Sequence, residues 1–117
     1  VFGTLIALME DGWPVLGVID QPVLGERWVG MIGRGTTLNG QPVRTAPRRE
    51  LADAILATTT PHQFSGHQVD HFMALSKSVA ERKIIWGGDC YNYALLASGH
   101  VDVVPVDSAF PSAGGQF

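Results

Sequence analysis

At 117 residues, 45% of them hydrophobic, the chain fits one domain of ordinary size with enough apolar material for a core. Charged residues are only 16% and the formal net charge is −3, which excludes a basic stripe for nucleic acid. No stretch approaches the roughly 20 apolar residues of a membrane helix, no signal peptide is read, and a single cysteine, Cys90, excludes an internal disulfide and fits a reducing cytoplasm.

Residues 1–45 read as an antiparallel β-meander. The first strand, residues 1–9, is a nearly continuous apolar run, as expected of a strand buried on both faces. Asp11-Gly12 signals a hairpin turn into a Val/Ile/Leu-rich strand at 14–19, which Gln21-Pro22 ends or places at an edge. A third strand at 26–32 is broken by Gly33-Arg34-Gly35. Asn39-Gly40 is the strongest type I′ signal in the chain, with residues 41–45 pairing back across it. The glycines of residues 33–40 invite a phosphate-loop reading, but the run lacks a GK[ST] ending and no helix pattern follows, so turn chemistry is the better account.

After a polar connector at 46–50 comes a short strand at 54–59, leading into Thr58-Thr59-Thr60-Pro61-His62. That loop lies at the carboxyl end of its strand, where open α/β sheets place ligand sites, although threonines also simply favour strands. Between residues 68 and 82, Val69, Phe72, Met73, Val79 and Ala80 fall on one side at helical spacing, giving an amphipathic helix on a sheet. His67 and His71 stand at i, i+4 without a third ligand, and are read as a solvated face; His62 and His100 are lone polar residues.

Residues 84–105, IIWGGDCYNYALLASGHVDVVP, carry the most information. They read as strand, glycine turn, helix over 90–98, and a last strand over 101–106. The helix is apolar nearly all round, which predicts burial rather than amphipathicity. Asp89 occupies an N-cap position and Gly99 the left-handed position that ends the helix. The helix N-terminus that follows Gly87, Gly88 and Asp89 is a natural place for a polar or anionic ligand. Two readings of these three residues stay open on spacing alone. They form a tight turn with a cap, or the glycines let a ligand approach the backbone while Asp89 accepts a hydrogen bond from it.

Several segments in order resemble the inositol monophosphatase family, and within it the bacterial histidinol-phosphatase branch. They are Val18-Ile19-Asp20-Gln21-Pro22, Gly25-Glu26-Arg27-Trp28-Val29-Gly30, Leu38-Asn39-Gly40-Gln41-Pro42-Val43, Gly88-Asp89-Cys90-Tyr91, Tyr93-Ala94-Leu95-Leu96-Ala97-Ser98-Gly99 and Val101-Asp102. The resemblance covers about residues 1–106. It implies a layered α/β (α+β) phosphatase fold, here a β-meander followed by strand-helix-strand-helix-strand. It also implies that residues 1–117 are an internal piece of one phosphatase unit, with a meander at 1–45, an α/β part at 51–106 and an irregular tail at 107–117.

The implied reaction is Mg2+-dependent hydrolysis of a small phosphate monoester, histidinol phosphate first and an inositol or sugar phosphate second. By resemblance Gly87, Gly88 and Asp89 bind substrate. The family's magnesium carboxylates come from an early helix, from an Asp-Pro-x-Asp-Gly-Thr motif and from an Asp after the last strand. The first two fall before residue 1. At the third, Val106 stands in place of a substrate-holding Glu and Ala113 near that of the metal Asp, so no catalytic or metal residue is assigned here. Expected partners are the phosphate-ester substrate and a second copy in a homodimer, with no nucleic acid or membrane. The 117 residues alone are expected to be inactive and, with apolar strands uncovered, to associate. The other class of answer is a non-catalytic module that binds a small ligand or a subunit.

Overall fold

A computed structural model describes residues 2–47 and 50–106. The tail at 107–117, with the assignment to Ala113, lies outside them.

Five antiparallel strands pair in chain order: β1 (Thr4–Glu10), β2 (Trp13–Gln21), β3 (Glu26–Met31), β4 (Gly35–Leu38) and β5 (Gln41–Val43). Two turns follow directly from their residues. Asp11 and Gly12 have φ of 50° and 82°, and Asn39 and Gly40 have 49° and 82°. Both central residues are thus left-handed, the geometry whose twist matches the flanking strands. Pro22 brings no amide hydrogen, and the Gln21 side chain organises the turn instead, its Oε1 accepting from the amides of Val23 (2.7 Å) and Leu24 (3.1 Å). Residues 35–38, where a phosphate loop had to be weighed, are strand β4 paired with β3.

The expectation for the first strand needs correcting. All of β1 is exposed, with Leu5, Ile6 and Leu8 each near 60%. The reason is topological: β1 is the edge of the sheet, and its side chains face open clefts or solvent instead of a packed layer.

The second half is a parallel unit. β6 (Leu56–Thr58) and β7 (Ile84–Trp86) pair in register Leu56↔Ile84 to Thr58↔Trp86, joined through helix α1 (His67–Ser78). The helix is shorter than the periodicity predicts. It ends where Val79 turns extended (ψ 143°) and drops its side chain, 5% exposed, into the core. That core is Leu56, Phe64, Phe72 and Val79, with Leu75, Ile84 and Val103 packed against it.

The last predicted strand, 101–106, contracts to one parallel bridge, Val103 to Leu56. Asp102 explains the contraction. Its Oδ2 accepts from the Ile55 amide (2.8 Å), while the amides of Asp102 and Val103 both donate to the Ile55 carbonyl (2.9 and 3.1 Å). A side chain thus takes a place that the ladder would need, and Pro105 has no amide to continue it.

Helix α2 (Tyr91–Ala97) then leans on the meander. Trp28, 3% exposed, donates from Nε1 to Ser98 Oγ at 2.7 Å and meets the Tyr91 ring edge-on at 5.6 Å. The helix closes as predicted. Gly99 has φ of 76°, its amide donates to Leu96 and that of His100 to Leu95, the bonding pattern of a left-handed helix end. A Cβ on Gly99 would stand 2.9 Å from the Ala46 nitrogen, so this glycine also admits the connector. Burial all round does not hold for α2. Asn92 and Ala94 are buried but Tyr93 is 42% exposed, because the helix packs against the sheet on one side only.

Candidate substrate cleft

The parallel pairing sets the carboxyl ends of β6 and β7 side by side. The Gly87 amide, the first after β7, donates to the carbonyls of Thr58 (3.0 Å) and Thr59 (3.1 Å). The chain then takes three positive φ values in a row: 86° at Gly87, 91° at Gly88 and 42° at Asp89. Glycine meets the first two without steric cost, and aspartate is among the few side chains that tolerate the third.

That third angle corrects the expected cap. An N-cap has extended backbone and a side chain that accepts from the helix. Asp89 is left-handed, the position before the helix is Cys90, itself helical in backbone and half-buried, and no side chain caps α2. The turn is held from within the helix. Asn92, 1% exposed, donates from Nδ2 to the Gly87 carbonyl at 2.8 Å, while the amides of Tyr91 and Asn92 donate to the carbonyls of Gly88 and Asp89. A Cβ on Gly88 would lie 2.4 Å from Asn92 Oδ1. Sequence reasoning does not single out Asn92. The available signal is a carboxamide inside an otherwise apolar helix, a residue buried only with partners.

Around this turn lies a cleft of about 380 Å3. Its polar lining is Thr58, Thr59, Gln63, Asp89 and Asn92, and Leu5, Ile19 and Val104 to Val106 give it apolar walls. Of the three predicted substrate residues, Asp89 lines the cleft, whereas Gly87 and Gly88 shape the turn behind it. Asp89 is also the single charged group of the lining among the described residues. The described lining has no lysine or arginine, so it offers a phosphate no cation to pair with. α2 spans only seven residues, too short to make its dipole the basis of an anion site.

The other candidates stay apart. His67 and His71 are exposed on α1, and His62 and His100 are exposed too. Among the described residues no group of three or more His, Cys, Asp or Glu could hold a metal ion. Magnesium prefers a near-octahedral oxygen shell, and one exposed carboxylate with hydroxyl and amide neighbours does not fit that demand. Val106, half exposed on the cleft rim, offers only an aliphatic side chain where the resemblance calls for Glu.

The start of α2 is also tied to the meander, where the Tyr91 hydroxyl donates to Glu26 Oε2 at 2.6 Å. Burial first, then this bond and the carboxylate charge, push the phenol from 10.0 up to about 12. The folded state therefore holds the proton more tightly than the unfolded chain. The resulting stability is complete below pH 10 and drains away as pH rises toward 12. Tyr91→Phe is expected to cost about 1 kcal/mol at pH 7 and to flatten that alkaline decline in urea denaturation. Parallel wild-type and variant curves from pH 9 to 12 would contradict the coupling.

The profile of the inositol monophosphatase family matches residues 1–111. The chain belongs to that family. Among curated members, it is 51% identical over 104 residues to the bifunctional phosphatase IMPL2, chloroplastic, of Arabidopsis thaliana, covering 89% of this chain and 30% of that protein. It is 34% identical over 107 residues to the histidinol-phosphatase of Chlorobaculum parvum, covering 88% and 39%. An inositol monophosphatase structure from Zymomonas mobilis superposes with a TM-score of 0.82 at 48% identity, covering 88% of this chain and 40% of that one. The mixed fold, an antiparallel meander with helices, is thus an inositol monophosphatase fold. The chain spans between 30% and 40% of the length of these relatives. Among the described residues no helix is long and apolar enough to cross a membrane.

Proposed function

We propose that residues 1–117 form the substrate-recognition side of a longer, Mg2+-dependent phosphomonoesterase, with histidinol phosphate as the preferred ester and an inositol or sugar phosphate as the second choice. One observation carries the reading: among the described residues, the cleft at the carboxyl end of the parallel strands has Asp89 as its single charged side chain. A lone carboxylate favours a cationic alcohol, such as one bearing an amine and an imidazole, whereas an inositol needs only neutral acceptors. The likeness to a histidinol-phosphatase supports the choice of ester.

On this reading Asp89 accepts from a protonated nitrogen of the alcohol. Gly87 and Gly88 give the turn that presents it, and the apolar walls exclude water from the carbon skeleton. The phosphoryl group is bound by parts of the protein beyond these residues. The magnesium that the family resemblance implies has no cluster of ligands among the described residues, so no step of the hydrolysis is assigned to them.

The test is Asp89→Asn in the full-length phosphatase. We expect kcat/KM on histidinol phosphate to fall about ten- to a hundredfold, the range of a charge-assisted hydrogen bond, with less than about a threefold change on inositol phosphate. Equal, small effects on both esters would rule out recognition by charge.

A further inference from the structure

We infer that the Thr58 hydroxyl is a second, specificity-determining contact for the alcohol part of the ester, at the base of the same cleft. The inference rests on the phosphatase reading given above and adds a residue to it.

Thr58 ends β6 and is 1% exposed, yet it contributes to the cleft lining. Its backbone is fully used, paired with Trp86 in the ladder and accepting from the Gly87 amide. Its side chain is not. Oγ1 is buried and has no hydrogen-bond partner among the described residues. A buried hydroxyl without a partner loses its water and gains nothing, and valine would fill the same space without that loss. The neighbouring polar groups differ. Asn92 Nδ2 is committed to the Gly87 carbonyl, Gln63 Nε2 reaches the Pro105 carbonyl at 3.5 Å, and Thr59 and Asp89 are exposed to water.

The orphaned group therefore sits where a ligand can complete it. A hydroxyl both donates and accepts, while the Asp89 carboxylate only accepts. The pair thus suits a small alcohol that carries a cationic nitrogen beside a neutral polar atom: the nitrogen goes to Asp89 and the neighbour to Thr58 Oγ1.

Thr58→Val and Thr58→Ser in the full-length phosphatase decide the matter. The readouts are thermal unfolding without ligand, calorimetric titration with histidinol, and kinetics on histidinol phosphate. For Thr58→Val we expect an unfolding temperature at or above that of the wild type. Histidinol binding should weaken about tenfold, and KM should rise with kcat within twofold. Thr58→Ser, which keeps the hydroxyl, should bind nearly as the wild type. Unchanged histidinol binding by Thr58→Val overturns the inference. So does a drop of several degrees in its unfolding temperature, because the hydroxyl would then be satisfied in the free protein. A wild-type protein that cleaves neither histidinol phosphate nor inositol phosphate overturns the phosphatase reading itself. An active wild type with an inert Thr58→Val overturns only the role of Thr58.

Discussion

Gly88→Ala in the full-length protein is expected to lower unfolding stability by about 2 to 4 kcal/mol, read from the urea midpoint. Two separate costs combine. The backbone at Gly88 has φ of 91°, a conformation that an L side chain enters only with strain. The new methyl would also stand 2.4 Å from Asn92 Oδ1, so the carboxamide must move. Its Nδ2 then leaves the Gly87 carbonyl at a site that is 1% exposed, stranding two polar groups away from water. Gly87→Ala is the internal control. Its φ is 86°, but a Cβ there meets nothing within 4 Å, so it carries the strain alone, about 1 to 2 kcal/mol. The gap between the two variants isolates Asn92. Equal losses would mean that Asn92 does not hold the turn.

That turn also shows where sequence reasoning reaches and where it stops. Asp11-Gly12, Asn39-Gly40 and Gly99 are legible because their conformations are set by the residues themselves, independent of any neighbour far along the chain. The placing of strands around residues 56 and 84 and of a helix between them follows from periodicity in the same local way. Asp89 fails as a cap for a non-local reason. The Gly87 amide is drawn to the carbonyls of Thr58 and Thr59, nearly 30 residues away in sequence, and the chain must pass left-handed through Asp89 to reach α2. Asp102 is similar: its role in ending the last strand depends on meeting Ile55. The exposure of β1 is a third case. An apolar run states what a strand is suited to lie against, and the identity of its cover comes from outside the run.

The cleft illustrates the same division. Its charged group, Asp89, stands in a motif and can be found by reading. Thr58 and Asn92 acquire meaning only after β6 and β7 pair, which sets the end of one strand beneath the turn that leaves the other. The contacts of Tyr91 with Glu26 and of Ser98 with Trp28 then tie α2 and that turn to the meander, whose Leu5 and Ile19 form the cleft's far wall. The cleft thus draws on both halves of the chain, and the fold of the second half supports all of its polar groups named above.

Phe72→Ala tests that support and is expected to have the largest effect, a loss of about 3 to 5 kcal/mol in urea denaturation of the full-length protein. Phe72 is 4% exposed and the buried anchor of α1. Its ring stacks on Phe64 at 4.7 Å and 18°, and meets Trp86 edge-on at 6.2 Å. Truncation removes the transfer energy of the ring and leaves a void bounded by Leu56, Phe64 and Val79. These neighbours belong to a strand, a turn and a helix end, so they cannot close the gap by one rotamer change. Phe72→Leu, which refills much of the volume, should recover at least half of the loss. Because Trp86 directly precedes the Gly87-Gly88-Asp89 turn, Phe72→Ala should also weaken histidinol binding below the unfolding transition, without any residue of the cleft being altered. A stability loss below about 1 kcal/mol would mean that the aromatic cluster is not the core of this half. The expected loss of about 3 to 5 kcal/mol with histidinol binding intact below the unfolding transition would mean instead that the turn is held by Asn92 and Tyr91, independent of the sheet beneath it.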